Sequence, residues 1–140
     1  MALQTYEFFD HTADIGIRAQ AKTLSGLFVH LAQGLTELLI EESRIEPTAE
    51  RAIDLSAADA EALLLGWLQE LLVWFSTDRF VPVDYALTEV TPTRLRGRVR
   101  GGIFDPAHDL HGREVKAITR HLLEVRQSVG GWHGQVLVDI

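Results

Sequence analysis

The sequence has no cysteine. That excludes disulfide scaffolds, thiolate zinc sites, cysteine nucleophiles and redox-active thiols, and it suits a reducing cytoplasm. A long apolar run is also missing. The longest near-continuous stretch, Ala62 to Leu68, contains Gly66 and ends at Gln69, far short of the ~20 residues that a spanning helix needs. No secretory signal is expected, because residues 1–4 carry no Lys or Arg, and Glu7 and Asp10 interrupt the aromatic run of Tyr6, Phe8 and Phe9. Positive charge is in the minority: 13 Lys and Arg stand against 20 Asp and Glu, a formal charge of −7. Strong direct binding of nucleic acid draws on the opposite balance and is not expected. There is no GxGxxG, no Walker-type GxxxxGK, no GxSxG elbow and no internal repeat.

What is present suits one domain spanning residues 1–140, with 46% hydrophobic and 24% charged residues. A chain of 15.7 kDa buries roughly 68% of its unfolded surface, enough for a core without a structural metal. Ile15, Ile17, Ala19 and Ala21 alternate with Gly16, Arg18 and Gln20, the period-two signature of a half-buried strand. Thr23 then offers an N-cap, and Leu24, Leu27, Phe28, Leu31, Leu35, Leu38 and Leu39 form one helical stripe. After a polar stretch at 41–50, Ile53 and Leu55 suggest a short strand. Ser56 with Asp59 resembles a capping box for a second helix, whose broad apolar face includes Leu63, Leu64, Trp67, Leu68, Leu71 and Phe75. The remainder reads as antiparallel strands at 85–91 and 95–100, a break at Gly101-Gly102, a loop from Phe104 to Gly112 and a last strand at 132–140 reached through Gly130-Gly131. Between them, Val115 to Val125 fits both a strand and a helix. The expected fold is α+β: a two-layer sandwich, mainly antiparallel sheet with two long helices on one face.

Two places concentrate oxygen ligands. In DHTAD, the residues Asp10, His11 and Asp14 crowd a short turn that either satisfies its own backbone amides or supplies hard oxygens to a cation. At Asp139-Ile140 a side-chain carboxylate adjoins the chain's terminal carboxylate; like charges that close favour a bound cation or a shared proton. Arg94, Arg96, Arg98 and Arg100 share one face of a strand and suit an acidic partner, a phosphate backbone or plain solvent. His108 and His111, beside Asp109, are too few donors for a zinc site. His30 reads as a helix-surface residue, Trp67 and Trp74 as core, and Lys116 as a strand residue facing water or pairing with a carboxylate in a site.

YEFFDHTADIGIRA, LLLGWLQELL, VKAITRH and the closing VDI together resemble the archease family over nearly the whole chain. HTADIGI, KAIT and the final DI are the most specific parts. The resemblance implies an accessory protein, not an enzyme, that activates an RtcB-type RNA ligase joining 3′-phosphate to 5′-hydroxyl RNA ends in tRNA splicing and RNA repair. The implied activation promotes guanylylation of the ligase and multiple turnover in the cytoplasm. It further implies a divalent metal site, calcium- or magnesium-like, on Asp14, Asp139 and Ile140, and functional roles for His11 and Lys116. Where the family commonly has an aromatic after KAIT, this sequence has Arg120 followed by His121. Alternative expectations are a chaperone-like modulator of tRNA methyltransferases and a metal-dependent hydrolase working through Asp14, Asp139 and His11.

Overall fold

A computed structural model describes residues 5–42 and 45–140; the four N-terminal residues read above for a targeting signal and positions 43–44 of the polar stretch lie outside them. The DHTAD turn joins two antiparallel strands, β1 (Tyr6–His11) and β2 (Asp14–Ala21). The first of these was not expected, because Tyr6, Phe8 and Phe9 break strict alternation. Thr23 then caps α1 (Leu24–Leu39), its hydroxyl accepting from the Gly26 N–H at 3.0 Å. A short β3 (Ile40–Glu42) and the longer β4 (Ala49–Ser56) lead to α2 (Ala60–Asp78).

Asp59, and not Ser56, is the cap of α2. Ser56 is the last residue of β4, and the Asp59 carboxylate accepts from the Ala62 N–H at 2.8 Å. Asp59→Ala is expected to lower stability by about 1 kcal/mol, readable as a shift of the urea midpoint with an unchanged slope.

The chain continues through β5 (Phe80–Thr91), β6 (Arg94–Ile103), β7 (Leu110–His111), β8 (Ala117–Ser128) and β9 (Gly131–Asp139). Gly101-Gly102 is not a break, since β6 runs through both. Glycine is required at 101 by close approach: a Cβ there would stand 2.1 Å from the Val81 carbonyl oxygen of the neighbouring strand. The segment from Val115 to Val125 is a strand for most of its length and not a helix. Its helix-like spacing has a local cause, a bulge. Thr119 pairs with Leu137 and Glu124 with Gln135, so residues 120–123 stand opposite Val136 alone, and Leu122 takes a left-handed conformation at φ 58°.

The result is α+β. A four-stranded antiparallel sheet of order β1-β2-β9-β8 carries the helices on one face, a three-stranded sheet β4-β6-β5 packs against both helices, and β3 pairs with β7. Ile15, Ile17, Val136 and Val138 meet Leu27, Phe28, Leu31 and Leu35 of α1 in one core with Leu64, Trp67 and Leu68 of α2. Each fully buried side chain of this kind contributes roughly 1.5–3 kcal/mol. Trp67, wholly buried, donates its indole N–H to the Phe28 carbonyl at 3.0 Å. Trp74 stacks edge-on to Phe80. His30 lies on the helix surface, where Nδ1 donates to the Gln20 carbonyl at 2.9 Å. Among the described residues no helix is long and apolar enough to cross a membrane.

The arginines of β6 form a matched ladder. Arg94 meets Asp54 at 3.1 Å, Arg96 lies between Asp54 and Glu89 at 3.8 and 4.0 Å, Arg98 meets Glu50 at 2.9 Å and Arg100 meets Asp84 at 3.7 Å. Acids from both flanking strands thus neutralise the stripe. Exposed pairs of this kind stabilise by at most about 1 kcal/mol each, but they leave no basic track on this face.

Candidate functional site

The face of the four-stranded sheet turned away from the helices is built in cross-strand rows. Antiparallel register places His11, Asp14, Asp139 and Ala117 side by side across β1, β2, β9 and β8. The next row is Phe9, Gly16, Leu137 and Thr119. Gly16 makes room for the Phe9 ring on β2, for a Cβ there would be 2.1 Å from the ring. The Arg18 guanidinium lies over that ring at 4.3 Å from its centre. Leu137 alternates with the core residues Val136 and Val138, so it points to this outer face, yet it is fully buried. The β8 bulge lies beside this row. Gln135 donates to the Leu122 carbonyl at 2.9 Å, and the His121 ring comes to 5.3 Å from the His11 ring, centre to centre.

Asp14 and Asp139 are therefore direct cross-strand partners, the head and tail of the sequence brought into one row. Like charges directly opposite each other destabilise a sheet unless a cation or a proton intervenes. Two further groups nearby are unsatisfied: His11 Nδ1 and Thr119 Oγ1 are buried and have no hydrogen-bond partner. His11 Nδ1 stands 4.0 Å from the Asp14 carboxylate, beyond hydrogen-bond range. Paired carboxylates suit a hard divalent cation, which takes several oxygen ligands and water, and the unpartnered His11 and Thr119 atoms suit hydrogen bonds to such water. The side chains do not complete such a site unaided, for among the described residues no three His, Asp or Glu are grouped to hold an ion. Ile140 follows Asp139 directly, and its main-chain oxygens are the nearest further donors by sequence. Lys116 is exposed just ahead of β8, where its backbone N–H donates to the Asp139 carbonyl at 2.7 Å. That bond ties the KAIT segment to the acidic row.

The other candidates separate. Asp10 is exposed on β1. His108 is exposed beside Asp105 at 3.8 Å, whereas the His111 ring packs on Phe75 and Phe104. His121 and Thr119 were missed from sequence. Their signal was the conflict of periodicities at 115–125, which marks a bulge that swings His121 across the sheet.

This arrangement defines a small α+β domain whose distinguishing feature is a carboxylate row at one end of an antiparallel sheet. Its fold matches the solution structure of Methanobacterium thermoautotrophicum protein 1598, with a TM-score of 0.82 and 29% identity over 99% of this chain and 100% of that one. It also matches the crystal structure of an archease, possible chaperone, from Thermotoga maritima, with a TM-score of 0.62, 20% identity and 94% of each chain covered. The archease protein family matches residues 6–140. The archeases of Pyrobaculum neutrophilum and Methanosarcina mazei are 34% and 32% identical over 139 residues, covering 96% of this chain and 95% of each relative. The chain belongs to the archease family.

Proposed function

We propose that this chain is an accessory protein that activates an RtcB-type RNA ligase by promoting guanylylation of that enzyme, working in the cytoplasm through its acidic row. The observation that carries the reading is the pairing of Asp14 with Asp139 in a chain of this family. Asp14, Asp139 and the main-chain oxygens of Ile140 are the groups that would hold a divalent cation of calcium or magnesium type. Such an ion supplies positive charge for phosphate oxygens that come close to it. The chain's own residues do the remaining work. The bond from the Lys116 N–H to Asp139 fixes the strand end. His11, whose Nδ1 is buried without a hydrogen-bond partner, is available for a hydrogen bond with water or a ligand group held in the row. The Lys116 ammonium is free to meet an anionic group of the ligase or its nucleotide.

The test is multiple-turnover ligation by the cognate ligase with and without this protein, across a titration of divalent metal. Adding the protein is expected to raise the turnover rate about tenfold or more, equivalent to about 1.4 kcal/mol of barrier. Equal rates with and without it, at every metal concentration, refute the reading. The Thermotoga maritima relative is described as a possible chaperone, which favours a second reading, a chaperone-like modulator of tRNA methyltransferases. Protection of such an enzyme from thermal inactivation, without effect on the ligase, would select it. A stand-alone hydrolase would require turnover of phosphoesters by the purified protein.

A further inference from the structure

Most arginines with described surroundings have a carboxylate partner, including Arg18 with Glu7, Arg51 with Asp78 and Arg126 with Glu124. Besides the exposed Arg120 of β8, Arg79 and Arg113 lack one: among the described residues no carboxylate lies within 4.0 Å of either guanidinium. Both line the same cavity, of about 560 Å³, between the C-terminal ends of α1 and α2 and the 104–115 segment. In a chain of charge −7, two unmatched guanidiniums at one cavity need a reason.

Arg79 also occupies a position that arginine disfavours. It is the C-cap of α2 at φ 57°, ψ 28°, the left-handed conformation usually taken by glycine. A side chain kept where glycine fits better points to a use for that side chain. Each arginine is held by its own backbone. The Arg79 carbonyl accepts from the Phe104 N–H at 2.8 Å, and the Arg113 N–H donates to the Leu38 carbonyl at 2.7 Å. The rest of the lining is largely apolar: Leu39, Phe75 and Phe104 form a buried floor, with the exposed His111 ring and Leu110 beside it. Of the two acids in the lining, Asp109 is engaged by the Asp105 N–H at 2.8 Å, and Glu114 is exposed.

We infer that this cavity binds a nucleoside phosphate, with the base against the apolar wall and His111, and the phosphates on Arg79 and Arg113. The volume lies within the roughly 300–1,000 Å³ of small-molecule sites. Guanidinium forks match phosphate oxygens two at a time, and a flat apolar body joined to a dense anion answers both halves of the lining. An acidic peptide would satisfy the arginines but make no use of the exposed His111 ring and Leu110 beside them. The cavity adjoins the acidic row through Val115, which lines it, and Lys116. The inference concerns this chain alone and does not depend on the ligase reading.

The test is equilibrium binding of a fluorescent N-methylanthraniloyl nucleoside triphosphate to the full chain with chelator present, so that no divalent ion takes part. Saturable binding is expected, displaced by unlabelled nucleoside triphosphate and not by the nucleoside, inorganic phosphate or a poly-glutamate peptide at equal concentration. Arg79→Gly removes the charge while relieving the left-handed strain. It is expected to raise the melting temperature and to weaken binding at least about tenfold, which separates recognition from folding. Arg113→Gln is expected to weaken binding similarly, and Arg120→Gln, at an exposed arginine outside the lining, to leave it unchanged. Absence of saturable binding, equal displacement by the peptide, or undiminished affinity in Arg79→Gly would overturn the inference.

Discussion

Asp14→Ala and Asp139→Ala are each expected to abolish stimulation of ligase guanylylation while leaving the fold intact. Both residues sit at strand ends on the outer face, and neither belongs to the core cluster. Removing one carboxylate relieves the repulsion of a direct cross-strand pair, so metal-free variants are expected to be as stable as the parent protein or slightly more stable. The metal response gives the decisive contrast. A ligand bound only by the folded state adds about 2.7 kcal/mol at a hundredfold excess over its Kd. The parent protein is expected to show such a rise in melting temperature with calcium or magnesium, and both variants to show none. Full stimulation by either variant would remove the acidic row from the proposed function, and a metal response surviving in both would place the ion elsewhere.

Trp67→Ala is expected to cost about 3–5 kcal/mol through the cavity it leaves, a large part of the 5–15 kcal/mol that typically holds a domain together. Trp67 joins three elements: it projects from α2, donates to the Phe28 carbonyl of α1 and stands edge-on to Tyr85 of β5 at 6.0 Å between ring centres. Burial pushes the Tyr85 hydroxyl well above its usual pKa, so that neighbour stays neutral across the accessible pH range. Trp67→Phe keeps the apolar body and loses the indole N–H, leaving the buried Phe28 carbonyl without that donor at about 1–3 kcal/mol. Urea unfolding reads both. A loss under about 2 kcal/mol for the alanine variant, against the range expected for a buried tryptophan, would mean that the two helices and β5 repack without this side chain.

Both helices and most strands were legible because their local patterns agree with their tertiary surroundings. Thr23 capped the helix it was expected to cap, and the alternation from Ile15 to Ala21 became a strand with its branched residues inward. The misreadings share one cause, long-range pairing. Gly101-Gly102 looked like punctuation because nothing local reveals that the Val81 backbone presses on Gly101. Ser56 looked like a cap because its role as the last β4 residue depends on pairing with Arg94. Of the site, Asp14 and Asp139 were visible as acidic clusters at opposite ends of the chain, but their meeting follows only from the β2-β9 register. His121 was hidden for the same reason, since a bulge is defined by what the partner strand does. The arginine stripe was legible as a pattern and not as a neutral ladder, because its acids come from β4 and β5.

The register that pairs β2 with β9 also sets an order of events during synthesis. The three-stranded sheet and α2 draw on the contiguous stretch from Ala49 to Ile103 and can assemble while translation continues. The larger sheet waits, because β2 must hold an open edge until β9 arrives from more than a hundred positions downstream, and closures of that span form slowly. The two aspartates therefore become neighbours only in one of the last steps of folding. A chain that lacks β9 has no acidic row, so any ion affinity the row confers depends on β9 being in place.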